Sequence, residues 1–172
     1  MPSAAPTRIG LIADTHGLLR PEAMEALHGS DRIIHAGDIG DPAILERLSQ
    51  IAPVTAVRGN NDKGGWAATL PRTDLVRAGR AFIYVIHDLA ELDLDPAAAG
   101  CSVVVSGHSH RPQSGQRGNI LFINPGSAGP RRFRLPISIG RLVVAGDRID
   151  ATLVALEVEP SILSPQRRMR SA

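Results

Sequence analysis

The sequence predicts an α/β domain, and three observations carry that reading. The first third alternates apolar strands with amphipathic stretches in a βαβαβ rhythm. The last third pairs alternating apolar runs across turn dipeptides. Between and around them, one apolar run after another ends on Asp, Asn or His. The first pattern implies a parallel sheet covered by helices, the second implies antiparallel hairpins, and the third places polar chemistry at strand ends.

Arg8 to Ala13, Arg32 to Ala36 and Val54 to Arg58 read as the three early strands. The stretch "PEAMEALHG" between the first two reads as a helix: proline is tolerated in a first turn, Glu22 suits the positive helix start, and Gly29 stops the element. In "DPAILERLSQ", Asp41 can cap and Pro42 can open a second helix whose apolar face is Ile44, Leu45 and Leu48. Beyond Asp62, Thr73 to Arg77 and Ala81 to Ile86 flank "AGR" as a hairpin, and Ser102 to Ser106 is a buried strand. Asp88 to Gly100 is a short helix or loop. Gly118-Asn119 and Gly146-Asp147 are the turns of two later hairpins, so the second half is expected to be antiparallel.

At 172 residues, the chain reads as a single domain over 1–172, with a core at 8–158 and a basic tail at 160–172. Apolar residues at 43% and charged residues at 21% exclude disorder and a membrane span. The absence of an apolar run after Met1 long enough for a signal peptide predicts a cytoplasmic location. The single cysteine, Cys101, sits in an apolar run without a positive neighbour and reads as core. A formal charge of +2 is not a nucleic-acid signature, and an aromatic content of 3% leaves little material for stacking bases. An unpaired edge strand leaves a homo-oligomer open.

The strand ends carry the function. "IADTH" supplies Asp14 and His16, "HAGDIGD" supplies Asp38, "VRGNND" supplies Asn60, "VIHD" supplies His87, and "VSGHSH" supplies His108 and His110. Ligands collect outside the carboxyl ends of strands in open α/β sheets, so these five turns are expected to converge. Glycine precedes Asp38, Asn60 and His108, where the chain must turn sharply. Oxygen and nitrogen donors without thiolate suit Mn²⁺ first, with Fe, Zn²⁺, Ni²⁺ or Co²⁺ as alternatives. Seven donors exceed the needs of one ion and suit two, roughly 3.5 to 4 Å apart.

Taken in order, Asp14-x-His16, Gly37-Asp38-x-x-Asp41, Gly59-Asn60-x-Asp62, His87 and Gly107-His108-x-His110 resemble the calcineurin-like metallophosphoesterase family. The loop "INPGSAGPR" at 123–131 and the short length resemble its small bacterial and archaeal phosphodiesterase branch. The resemblance implies a four-layer αββα sandwich. It implies that Asp14, His16 and His110 hold one metal, that Asn60, His87 and His108 hold the other, and that Asp38 bridges them. Asp38, Asn60 and His108 are the catalytic residues on this reading. The activity implied is hydrolysis of a small phosphoester, a phosphodiester first, by a hydroxide held between the ions. A protein-binding scaffold of the same fold and a nuclease are the alternatives.

Two positions depart from the family. Asn61 stands where many members have a histidine able to protonate the leaving group, a contribution of typically about 10²- to 10⁴-fold. Asn61→His is therefore expected to restore an acid, with Asp62 holding its charge. Asp88 stands where relatives have glycine, either beside His87 or exposed. Asp41 and Asp62 read as caps or as supports of the ligands, with Asp62 orienting Asn60; Arg131 is a candidate phosphate contact, and His28 and His35 are structural.

Overall fold

Two five-stranded sheets lie face to face in the computed structural model, which describes residues 5–158. The first sheet runs β10-β9-β1-β2-β3, built from β1 (Thr7–Ile12), β2 (Arg32–His35), β3 (Val54–Ala56), β9 (Ser138–Ala145) and β10 (Arg148–Ala155). The second runs β4-β5-β6-β8-β7, from β4 (Thr73–Ala78), β5 (Ala81–Ile86), β6 (Val103–Val105), β7 (Gln113–Arg117) and β8 (Ile120–Asn124). The helices are α1 (Pro21–Leu27), α2 (Pro42–Ser49) and α3 (Gly65–Ala68). The basic tail expected at 160–172 lies outside the described residues.

Alternation along the strands sorts side chains into layers. Ile9, Leu11, Ile34 and Leu142 of the first sheet meet Val76, Ile83, Val103, Val105 and Ile123 of the second in one buried layer. Each fully buried Ile or Leu contributes about 1.5 to 3 kcal/mol. The opposite face of the first sheet presents Ile12, Ile33 and Ile139 to Ala23 and Leu27 of α1 and to Ile44 and Leu48 of α2. Asp41 accepts a hydrogen bond from the Ala43 amide and caps α2, as its place before Pro42 predicts. The outer face of the second sheet, Tyr84, Ile86, Val104 and Ile120, is covered by Leu89, Leu92 and Leu94. That outer layer holds a single 3-10 turn, Leu89–Glu91. The four-layer sandwich is therefore present with a thin fourth layer, because Asp93, Asp95 and Pro96 interrupt any longer helix there. Cys101 is buried in that cluster, as its apolar surroundings predict.

The expected hairpins β4-β5, β7-β8 and β9-β10 all form. The second half is nevertheless not antiparallel throughout. β5 pairs with β6, and β6 with β8, in parallel. The parallel β1-β2-β3 set and the parallel β5-β6-β8 set both matter to the site, since a strand's carboxyl end is where its ligand-bearing turn begins.

Candidate metal centre

The turns leaving β1, β2, β3, β5 and β6 meet at one rim, bringing all seven residues together. His16 Nε2 lies 3.1 Å from His110 Nε2. Asp14 Oδ1 is 3.5 Å from His110 Nε2 and 3.9 Å from His16 Nε2. Asp38 Oδ2 stands between two groups, 3.8 Å from His16 Nε2 and 3.4 Å from His87 Nε2. Asn60 Oδ1 is 3.1 Å from both His87 Nε2 and His108 Nδ1. Asp14, His16 and His110 offer three donor atoms within 4.8 Å of one another, and so do Asp14, Asp38 and His87. Asp14 thus borders both halves of the cluster.

The arrangement fits cations. Both carboxylate oxygens of Asp14 are buried without a well-formed hydrogen bond among the described residues; the His108 amide and, at 3.5 Å, His110 Nε2 face them without saturating them. A buried carboxylate left in that state is costly, and a divalent ion supplies the missing partner. The backbone tells the same story: Asp14, His16, Asp38, His108 and His110 all adopt left-handed φ values, between 45° and 68°. Side-chain-bearing residues hold that conformation only where the surroundings impose it, most often at functional sites.

A frame of hydrogen bonds holds the turns. Asp62 accepts from the Gly40 amide at 2.8 Å and from the Gly59 amide at 2.8 Å, tying the turn after β2 to the turn after β3. It does not orient Asn60, because both oxygens are committed to backbone. Asn124, buried at the end of β8, donates to the Gly107 carbonyl and to Ser109 Oγ and so braces the His108 turn. His35 is fully buried, with Nε2 2.9 Å from Thr15 Oγ1 and Nδ1 accepting from the Gly37 amide. It is structural, as expected. His28 closes α1.

Three more residues differ from expectation. Asn61 donates to Asp38 twice, from its backbone amide at 2.8 Å and from Nδ2 at 2.7 Å. It grips the central carboxylate, and Asp62 beside it is unavailable to hold a charged ring at residue 61. Asp88 faces His108 rather than His87, with Oδ2 3.6 Å from His108 Nε2, while its other oxygen caps the 3-10 turn. Arg131 is turned back onto the Leu135 carbonyl, and it is the Arg132 charge that acts on Asp14, His16 and His110. The Asn61 grip had no signal in the motif, which marks the residue only as a missing acid.

Burial pushes the Asp14 carboxyl up to about 7, against the attraction of His87. Burial also opposes charge on Asp38, but hydrogen bonds from His87 and Asn61 outweigh it and hold that carboxyl well below the usual range. Burial lowers His87, and its hydrogen bonds to Asp38 and the Ala36 carbonyl reverse the balance and raise it. Burial depresses His16, takes His35 down to about 3, and together with the Arg132 charge takes His110 down to about 4. His16 and His110 are therefore neutral near pH 7, the form that binds metal.

These shifts set a pH signature for the metal-free protein. Folded Asp14 keeps a proton that unfolded Asp, ionising near 3.8, has lost, so its contribution to stability falls as pH rises between those values. His16, His35 and His110 act oppositely, gaining stability with pH up to the ordinary 6.5. The raised His87 contributes stability that is lost as pH rises through its folded value. Comparing wild type with Asp14→Asn tests the first effect, and the accompanying loss of the Asp14 attraction on His87 acts in the same direction. With excess chelator, thermal melts should show the variant overtaking wild type as pH rises from about 5 to about 8, and a saturating divalent cation should reverse the order. A pH-independent difference would contradict the Asp14 shift.

Two cavities adjoin the cluster and share His108 and Asp88. One, about 470 Å³, is lined by Arg58, Asn60, Arg72, His87 and Glu91; the other, about 390 Å³, by Ser109, Gln113, Gln116, Arg117 and Phe122. Among the described residues, no helix is long and apolar enough to cross a membrane.

The profile of the calcineurin-like phosphoesterase superfamily domain matches residues 7–147. A protein named probable metallophosphoesterase in Methanocaldococcus jannaschii is 37% identical over 163 residues, covering 87% of this chain and 81% of its own length. Phosphodiesterase YfcE of Escherichia coli K12 is 36% identical over 107 residues, 58% of each chain. Among solved structures, Vacuolar Protein Sorting 29 of Cryptosporidium parvum superposes with a TM-score of 0.76 at 20% identity, over 88% of this chain and 92% of the other, which is a likeness of fold. With the motif order, the sandwich and the profile in agreement, the chain belongs to the calcineurin-like phosphoesterase superfamily, a family of metal-binding phosphoesterases.

Proposed function

We propose that the chain is a dinuclear metal-dependent phosphoesterase with a preference for phosphodiesters. Asp14, His16 and His110 hold one divalent cation, Asn60, His87 and His108 hold a second, and Asp38 lies between them. Mn²⁺ is the first choice for this oxygen and nitrogen donor set. The observation that carries the reading is the convergence of seven donors around a buried carboxylate whose oxygens have no well-formed hydrogen bond. When bound, such a cation pair supplies a hydroxide at neutral pH and neutralises charge on the phosphoryl oxygens.

The chain's own part is positioning. Asn61 fixes Asp38, Asp62 staples the two turns on either side of it, and burial keeps His16 and His110 neutral. Asn61 cannot protonate a departing oxygen, and its amide is in any case turned to Asp38. Diesters with good leaving groups follow as the favoured class, and the YfcE relative carries a phosphodiesterase name. The rival reading, a scaffold of the same fold that works through protein contacts, is separated from this one by catalysis rather than by metal binding, since a Vps29 of this fold is itself complexed with Zn²⁺.

A panel of esters tests this. With Mn²⁺ present, wild type should hydrolyse aryl diesters fastest, and the rate should fall steeply as leaving-group pKa rises toward alkyl esters, because no side chain supplies the proton. Equal rates for aryl and alkyl esters with chemistry rate-limiting would contradict the proton argument. No hydrolysis of any ester, even with metal bound, would favour the scaffold.

A further inference from the structure

Six residues other than glycine adopt left-handed φ among the described residues, and five of them are donors of the metal centre. The sixth is Phe133, at φ 52° and 92% exposed. A phenylalanine in that conformation costs roughly 1 to 2 kcal/mol of backbone strain and gains nothing from burial. The other aromatic rings are better covered: Tyr84 is buried, Trp66 and Phe122 pack against core, and Phe82 lies beside Arg77.

The segment that presents Phe133 is pinned to the metal centre at its start. Ser127 Oγ donates to the Asp14 carbonyl at 2.9 Å, and the Ala128 amide donates to Ala13 at 3.1 Å. Gly129 lies so close that a Cβ there would overlap the Thr15 carbonyl, and Arg20 Nε donates to the Gly129 carbonyl at 3.0 Å. The returning strand rejoins at Ile137, which bridges Ser127. Residues 130–136 are therefore a short excursion that departs beside Asp14 and Thr15, close enough for the Arg132 charge to act on Asp14, His16 and His110. The excursion reads Pro-Arg-Arg-Phe-Arg-Leu-Pro, with three arginines and no acidic residue. Among the described residues the arginines paired with a carboxylate are Arg72, Arg80 and Arg148, and Arg131, Arg132 and Arg134 have no such partner there.

We infer that residues 130–136 form a nucleotide-binding arm, in which Phe133 stacks on the base of a phosphodiester carrying one nucleoside and Arg132 and Arg134 attract its phosphate. The inference rests on the phosphoesterase reading and narrows its substrate class. A diester has two substituents, and besides the cavities at His108 the cluster has the arm that departs at Gly129 next to Thr15. A single exposed ring serves one base. A strand of nucleic acid would call for several such platforms and a longer basic track.

The chromogenic pair thymidine 5′-(p-nitrophenyl phosphate) and methyl p-nitrophenyl phosphate separates the claims, because both release the same leaving group and only one carries a base. With Mn²⁺, wild type should show the lower KM for the thymidine ester. Phe133→Ala should raise that KM at least about fivefold with kcat little changed, the low end of what one base stack contributes. It should leave the methyl ester unaffected, and Phe133→Trp should restore the wild-type value. Wild type that handles both esters with equal KM, or Phe133→Ala that shifts neither or both alike, overturns the arm. Salt-sensitive binding of a ten-residue oligothymidylate that greatly exceeds binding of thymidine 5′-monophosphate overturns the single-nucleotide class. Failure to hydrolyse either ester at full metal occupancy overturns the phosphoesterase reading itself, a different result from hydrolysis of both without base preference.

Discussion

Asp38→Asn should lower diester turnover by about a hundredfold or more, a loss at least as large as removal of one preorganised charge-stabilising group elsewhere. The substitution keeps the size of the side chain and removes the one carboxylate that stands between the His16 and His87 groups. It also turns the favourable Asn61 Nδ2 bond into a meeting of two amides. The fold should survive, because the charge removed also repels Asp14. A second readout is independent of turnover. The hydrogen bond to Asp38 is what lifts His87 against burial, so His87 should titrate lower in the metal-free variant than in metal-free wild type. Retained turnover with full metal content, or an unmoved His87, would contradict the central place given to Asp38.

Gly59→Ala should be nearly as damaging without touching a donor atom. A Cβ at residue 59 would overlap the Asp38 amide and its Oδ1, and neither the turn after β2 nor the carboxylate can retreat while Asp62 and Asn61 hold them. Overpacking of this kind typically costs about 1 to 3 kcal/mol, and here the strain falls on the carboxylate between His16 and His87. The expected result is a lower melting temperature together with weakened metal binding. Gly65→Ala, six residues on in open space at the start of α3, is the matched control and should bind metal as wild type does. If both alanines behave alike, close packing at Gly59 is not what positions Asp38.

Much of the site was legible because its chemistry restricts residue types. Few side chains bind divalent ions, and sharp turns after strands favour glycine, so Gly37-Asp38, Gly59-Asn60 and Gly107-His108-x-His110 announce themselves in one sequence. The early βαβαβ half and the three hairpins were legible for a related reason, since periodicity and turn dipeptides are local. What depends on partners distant in sequence was not. The apolar run at β6 looks the same whether its neighbours run with it or against it, and the parallel β5-β6-β8 arrangement is fixed only when the sheets stack. The same holds at the level of single residues. Asn61 reads as a missing acid until Asp38 is placed 23 positions away beside it, and Asp62 reads as a support for its neighbour until Gly40 comes within reach. Arg132 and Phe133 carry no periodic signal at all; their meaning comes from Gly129 fitting against Thr15.

The central claim is that these seven side chains hold two ions, and the manganese content of the reconstituted protein tests it most directly. Purified chain, stripped with chelator, loaded with Mn²⁺ and passed through gel filtration, should retain two manganese ions per chain by elemental analysis, and the same treatment of Asp38→Asn should retain fewer. One ion or none in wild type, or two in both proteins, would contradict the dinuclear site built around Asp38.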